Sequence, residues 1–384
     1  MTEKNPKTRV PSWLERLRQS RATGPDNSDG PEHPSPRIAV VTDSGASLPS
    51  EFVSQHADRL VVVPMPLMID GQIYAHDPEN IERELALALA LGKPVKTSRP
   101  APGQFSQIYE ELANRGFDGI VSLHLSGELS GTSDAARLAA ESARIPVQVI
   151  DTRTAGLAEG YLVMDTVDFL ENYDDAAFAS ATSPGKGASD SEPSEDARAS
   201  SKLQSSESQA SATSVPTDVS GASLEAATVA DQKNQPSDPV QRAFAGVRAL
   251  TGSLVPTIDF AVPSLDQLRA GGRISIAASV LGSLLSVKPI LNIVDGKLQV
   301  RERVRTAPKV FARLLELAVQ EAEKRGVPCR FGVQSFGNEE MARQLVRDLE
   351  AHTTYPVLLT SVSTVLAAHT GAGVLAICCA PARY

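Results

Sequence analysis

The stretch at 124–141, HLSGELSGTSDAARLAAE, crowds Ser126, Ser130, Thr132 and Ser133 into a turn between the apolar run GIVSL and a helical pattern. Hydroxyls gathered at a strand-to-helix turn suit three tasks: a nucleophile, a phosphate cradle, or a hydrogen-bonding seat for an anion. A hydrolase elbow needs G-x-S-x-G, and this turn offers Gly127-x-x-Ser130-Gly131, one residue out of register. A triad is defined by geometry rather than chain order, so Asp43, Asp151 and His369 remain partners for Ser44, Ser126 or Ser130. A nucleotide cradle has weaker support. There is no G-x-x-x-x-G-K-[ST], and the one dinucleotide-like string, Gly371-Ala372-Gly373-Val374-Leu375-Ala376, leads into a strand-like VLAICC instead of a helix N-terminus. The histidines at 33, 56, 76, 124, 352 and 369 show no paired spacing with carboxylates or cysteines on one helix face, so neither a metal nor a cofactor is expected.

The anion seat draws on several parts of the chain. Thr97 and Ser98 fall in KTSRPAPGQF, just before a helical pattern, where backbone N–H groups point outward. Arg273 follows the Gly271-Gly272 pair, and His369 lies in the small-residue stretch 367–373, where backbone can approach a ligand closely. Hydroxyls hold a carboxylate without adding charge, and an Arg or His supplies the charge-assisted bond.

Elements must bring these groups together. Between 37 and 178, short apolar runs (RIAVVTDS, RLVVVPMPLMI, GIVSLHLS, VQVIDT) alternate with helical patterns, which argues for an α/β domain with a largely parallel sheet. Three of its strands end at Asp43 and Ser44, at Ser126, and at Asp151 and Thr152, on the side of such a sheet where ligands bind. The block at 241–384 opens with a helix, forms a hairpin from KPILNIV and KLQVRERV around Asp295-Gly296, and continues with two helices and two strands, a mixed α+β pattern. Residues 1–36 read as a disordered tail, relieved by a short helix in PSWLERLRQ capped by Ser12 and Glu15. Residues 179–240, Ser-rich and without an aromatic side chain, read as a disordered insertion.

Composition narrows the partners. The net charge of −9 with no basic block argues against nucleic acid. Three cysteines, Cys329, Cys378 and Cys379, make neither a disulfide framework nor a zinc pattern, and with no signal core or membrane span the expected place is the cytoplasm.

Six motifs in order carry a resemblance to the DegV family. VVTDSGASLP resembles its T-D-S opening, VKTSRPAPGQFSQIYEEL its T-S-Q-P segment, HLSGELSGTSDAARLAA its S-S-x-L-S-G-T turn, and VIDTRTAGLAEG its V-I-D-S segment. PSLDQLRAGGRISIAASVLGSLLSVKPILNIVDGKL is similar to its G-G-R-I helix and K-P-I-L hairpin, and AAHTGAGVLAI to its closing H-x-G-x-G. The resemblance implies two α/β domains that bury one long-chain fatty acid in an apolar tunnel, its carboxylate at the domain junction. It also implies no catalysis by this chain itself: the bound acid is presented to an ATP-dependent fatty acid kinase subunit for acyl phosphate formation, with transient contact at a membrane surface. By that resemblance Thr97, Ser98, Ser126, Arg273 and His369 meet the head group, with Asp43, Ser44 and Ser130 as further head-group or loop positions.

The chain departs from the family pattern at Gly127, where a second Ser is frequent, at Arg99 in place of Gln, and at Ser133 and Asp134 in place of Tyr and Gln. If that second Ser carries the main carboxylate bond, Ser98 or a water must substitute, and Asp134 opposes an anion unless it turns away or pairs with Arg99. Ile274, Ile276, Ala277, Val280, Leu281, Leu284 and Leu285 recur at helical spacing, which fits a tunnel wall or an ordinary core face. Alternatives from other classes are a lipid-active serine hydrolase and a lipid-sensing regulatory protein.

Overall fold

The computed structural model describes residues 35–74, 78–175, 238–253, 255–274 and 288–382. The Ser12-capped helix, nearly all of the Ser-rich insertion and the positions from Ile276 to Leu285 lie outside the described residues. In chain order the elements are β1 (Ile38–Asp43), α1 (Ser50–Gln55), β2 (Leu60–Val63), β3 (Leu67–Ile69), β4 (Gln72–Tyr74), α2 (Pro78–Ala90), β5 (Val95–Thr97), α3 (Pro102–Asn114), β6 (Gly119–His124), α4 (Thr132–Ala140), β7 (Val147–Asp151) and α5 (Leu157–Glu171). After residue 237 come α6 (Pro239–Ser253), β8 (Thr257–Ala261), α7 (Asp266–Ala270), β9 (Lys288–Val294), β10 (Lys297–Val304), α8 (Ala307–Arg325), β11 (Cys329–Phe336), α9 (Glu339–Leu349), β12 (Leu358–Ser361), α10 (Thr364–Thr370) and β13 (Val374–Pro381).

The first sheet, in the order β2-β1-β6-β7, is parallel throughout, with Val40 opposite Leu60, Ile38 opposite Gly119 and Ile120 opposite Val147. Every residue of β1 and β6 is buried, as expected of parallel strands with helices on both faces. Phe105, Ile108 and Leu112 of α3 and Ala135 and Ala139 of α4 cover one face. Leu162, Val163 and Val167 of α5 cover the other, together with Ala243, Phe244 and Val247 of α6. Thus α6, which follows the insertion in sequence, returns to the first sheet before the chain crosses to the second, because its apolar face fits beside α5. The carboxylate of Asp175 and the guanidinium of Arg242, 2.5 Å apart, join the chain just after α5 to the first turn of α6.

The second sheet runs β10-β9-β8-β13-β11-β12. It is mixed: β11 and β12 are parallel, and its other pairings are antiparallel. Leu314 and Leu317 of α8 and Leu345 and Leu349 of α9 bury one face. The opposite face, through Phe260, Ala376 and Cys378, packs on Leu157 and Tyr161 of α5. The approach is close: a Cβ on Gly332 would stand 2.2 Å from Leu157 Cδ2, so only glycine fits there. The hairpin forms as its turn residues dictate, with positive φ at both Asp295 (51°) and Gly296 (81°), the pattern of a two-residue turn matched to strand twist.

The apolar run RLVVVPMPLMI is two strands. Pro64 and Pro66 have no N–H for a ladder, so the chain leaves the parallel sheet after β2 and re-enters a separate three-stranded antiparallel sheet, β4-β3-β5. That small sheet brings Thr97 alongside α10. Bonds across the junction complete the frame: the Leu157 N–H donates to Gln334 Oε1 (2.8 Å), Tyr161 OH donates to the Phe331 carbonyl (2.8 Å), and the Ser363 N–H donates to Ser47 Oγ (3.1 Å). Among the described residues no helix is long and apolar enough to cross a membrane. All three cysteines are buried free thiols.

Candidate functional site

A cleft enclosing about 790 Å³, its open mouth included, lies between the two sheets. Its walls are apolar and come from both halves: Met65, Leu125, Leu129 and Ala155 from the first, and Ile258, Phe260, Ile293, Leu298, Val365 and Ala376 among those from the second. The polar lining comprises Thr97, Ser98, Ser130, Arg273, Gln334, His369 and Thr370, and no Asp or Glu among the described residues joins it.

Thr97 at the end of β5 and His369 in the last turn of α10 meet directly, with Oγ1 and Nε2 2.8 Å apart. The ring packs closely against Gly271, where a Cβ would fall 2.3 Å from His369 Nδ1. Burial, aided by the nearby Arg273 charge, holds the His369 imidazole down to about 4, so the ring is neutral at physiological pH. Arg273 is tied by its Nε to the Leu129 carbonyl (3.2 Å) and by Nη1 to the Gly271 carbonyl. It has no carboxylate partner among the described residues. A cation held by neutral carbonyls over an apolar cleft attracts an anion, because no carboxylate among the described residues balances its charge. Ser130 Oγ, 2.8 Å from Thr132 Oγ1, stands at the same end.

The other candidate residues lie behind this lining. Ser126 is fully buried: its Oγ donates to the Gly296 carbonyl at 2.7 Å and accepts the Glu128 N–H at 3.2 Å. It therefore joins the hydroxyl-rich turn to the hairpin tip, where Arg153 also donates to the Asp295 carbonyl at 3.0 Å. Ser44 Oγ accepts the Met65 N–H at 3.1 Å. Asp43 accepts from the Gly45 N–H (2.8 Å) and the Leu125 N–H (3.2 Å), and its Oδ2 lies 3.0 Å from His124 Nδ1. His124 Nε2 in turn meets Ser122 Oγ at 2.7 Å, and Ser122 meets Tyr109 OH at 2.9 Å. This chain has the order of a hydrolase triad, but Asp43, Ser122 and His124 are all completely buried, with Phe105 edge-on to the imidazole. It sets the backbone of Leu125, a cleft residue, and offers no path to a substrate. Beside it Glu159, also fully buried, has its carboxyl pushed well above the usual range by burial and then by the Asp43 charge, which favours its protonated form.

The departures from the family pattern acquire a place. A Cβ on Gly127 would stand 2.8 Å from Asp151 Oδ2, which accepts the Gly127 N–H at 3.1 Å. Asp134 turns outward and pairs with Arg137 at 2.7 Å. Arg99 packs over Gly131, where a Cβ would meet its Nη1 at 2.7 Å. Of the apolar run after Arg273, Ile274 is buried in the core; the rest lies outside the described residues. Sequence reasoning passed over Gln334 and Thr370. Gln334 carried a signal, as a lone amide in the apolar strand RFGVQSF, and it bonds the Leu157 N–H and Thr360 Oγ1.

Comparison with known proteins matches this fold. A family model described as an uncharacterised protein of the DegV family matches residues 37–177 and 220–382. The chain belongs to the DegV family. A DegV domain-containing protein of Streptomyces coelicolor is 33% identical over 342 residues, 88% of this chain and 97% of that one. Protein DegV of Bacillus subtilis is 27% identical over 344 residues, 89% and 98% of the two chains. Among solved structures, a DegV family protein from Thermus thermophilus, described for its fatty acid binding, superposes with a TM-score of 0.66 at 26% identity, covering 90% of this chain and all (100%) of that one. DegV from Bacillus subtilis, described as a fatty acid binding protein, gives 0.62 at 26% identity, covering 91% of this chain and 100% of that one.

Proposed function

We propose that this DegV protein binds a long-chain fatty acid, its tail in the cleft between the sheets and its carboxylate at the end formed by Thr97, Ser98, Ser130, Arg273 and His369. The observation that carries the reading is Arg273 itself, a cation without an acidic partner among the described residues, set beside a neutral imidazole and hydroxyls in an otherwise apolar cleft. The fatty acid binding described for the Thermus thermophilus and Bacillus subtilis relatives supports it. Removing each CH₂ from water is worth roughly 0.8 kcal/mol, so the tail supplies most of the affinity and the polar end fixes orientation. Ser126, with Asp43 and Ser44, positions the turn around the head group. Residues 37–178 and 241–384 serve as the two halves around the ligand, with α6 anchored on the first. The chain performs no chemistry on the acid. It acts in the cytoplasm, takes the acid up at a membrane surface and presents the carboxylate to an ATP-dependent kinase subunit, which forms the acyl phosphate.

Native mass spectrometry of the purified chain, followed by denaturing extraction, tests the binding. One equivalent of a C14–C18 acid supports it; a chain that is empty and refuses added palmitate and oleate sinks it. Transfer of the γ-phosphate of ATP to the bound acid by a candidate kinase subunit, abolished without this chain, tests the presentation.

A further inference from the structure

Away from the cleft, three potential metal ligands from two helices meet at one point. His56 closes α1 as its C-cap, and Asp168 and Glu171 stand one turn apart at the end of α5. Their ligand atoms all lie within 4.8 Å of one another, with His56 Nε2 3.6 Å from Glu171 Oε2. None of the three lines the cleft.

The histidine is oriented for ligation. Its Nδ1 lies 2.8 Å from the Phe52 carbonyl, an acceptor only, so Nδ1 carries a hydrogen and Nε2 is the ring nitrogen turned toward the carboxylates. The Phe52 ring, with its centroid 4.1 Å away, holds the imidazole in place. Metal-binding histidines share this arrangement, with the second ring nitrogen donating to a backbone carbonyl. The remaining oxygen of Glu171, Oε1, faces Arg59 Nε at 3.9 Å, which leaves Oε2 for the shared point. The last turn of α5 carries no basic residue, and the negative end of that helix adds to the attraction for a cation.

We propose that His56, Asp168 and Glu171 bind one divalent first-row transition ion, Zn²⁺ foremost, with water completing its coordination. Zinc bonds to nitrogen and oxygen of about 2.0–2.2 Å place adjacent ligands roughly 3.3 Å apart, close to the separation of the imidazole and Glu171. One imidazole with two carboxylates favours such an ion over Mg²⁺ or Ca²⁺, which prefer all-oxygen sites. The ion would staple the end of α1 to the end of α5. This site is independent of fatty acid binding.

The test uses the full chain, stripped with a chelator and titrated with Co²⁺, then with Zn²⁺ in competition. The expected result is one equivalent of Co²⁺ with a visible absorption band, displaced by Zn²⁺, and a thermal midpoint several degrees higher in excess Zn²⁺. His56→Ala and Glu171→Gln should each weaken binding at least ~100-fold, more than the loss of an outer contact to a ligand. The exposed His352→Ala should leave it unchanged. Glu171→Gln keeps the size of the side chain and decides the matter if His56→Ala does not fold. Equal Zn²⁺ binding by both site variants overturns the proposal, as does the absence of saturable binding below about 1 mM, a binding free energy of roughly −4 kcal/mol. In the second case His56 and Glu171 form only an ion pair.

Discussion

His369→Gln should change how the stability of the empty protein depends on pH, and the sign follows from where the ring lies. Burial and the Arg273 charge hold the imidazole down to about 4, against an ordinary 6.5. Above about pH 6.5 the ring is neutral in both folded and unfolded chains and contributes no pH dependence. Between there and about pH 4 the unfolded chain takes up a proton that the native cleft refuses, so stability falls as pH falls. From pH 7.5 to pH 5 the loss through this one residue is about 2 kcal/mol, one and a half pH steps at ~1.4 kcal/mol each. Glutamine keeps a partner for Thr97 and does not titrate, so the variant should lack this loss. Urea unfolding of delipidated wild type and variant at pH 7.5, 6 and 5, followed by circular dichroism, measures it, because the other titrating groups are common to both and cancel in the difference. Profiles parallel within about 0.5 kcal/mol would show that His369 is not held neutral in the empty cleft, and the electrostatic argument for the anion seat would lose its basis. Palmitate should reduce the acid loss of the wild type by giving the imidazolium a carboxylate; methyl palmitate, with the same tail and no charge, should not.

Further expectations concern other parts of the frame. Arg273→Met should weaken palmitate binding by about 10- to 100-fold, as loss of a charge-assisted bond worth ~1.5–3 kcal/mol requires, while hexadecanol binding stays within a few-fold by competition fluorescence. Ser126→Ala leaves the Gly296 carbonyl without its donor and should lower stability by about 1–3 kcal/mol in chemical denaturation. Gly332→Ala forces a methyl group into Leu157 and should cost about 1–3 kcal/mol, read as an earlier urea midpoint. Glu159→Gln should stabilise the protein at pH 8, and the gain should shrink as pH falls toward 4.5, where the acid holds its proton in the unfolded chain as well; a gain that grows on acidification would contradict the neutral carboxyl.

Much of the architecture was legible because local chemistry agrees with the fold. The alternation of apolar runs and helical patterns announced the parallel sheet, and Asp295-Gly296 announced its hairpin. The break in RLVVVPMPLMI was readable in principle, since Pro64 and Pro66 cannot serve a continuous ladder, but composition alone hid which sheet each half would join. Thr97 and His369 touch across 272 residues of chain, and only an ordered set of family motifs placed them in one reading. Ser126 looks like a head-group residue by its motif, yet the hairpin tip that occupies its hydroxyl comes from the other sheet. The meeting of His56 with Asp168 and Glu171 left no spacing to recognise, because it depends on where α1 ends against α5.

The Asp175–Arg242 ion pair has a consequence for what the fold tolerates between its halves. It holds the chain just after α5 against the first turn of α6, so the framework is closed at that point whatever number of residues separates the two. Closing a loop costs only about 0.6 kcal/mol more for each doubling of its length, so a change in the number of residues between Asp175 and Arg242 should have little effect on the fold. The same site would accept a reporter domain whose own termini lie close together, giving a sensor attached to α5, the helix that packs against both sheets.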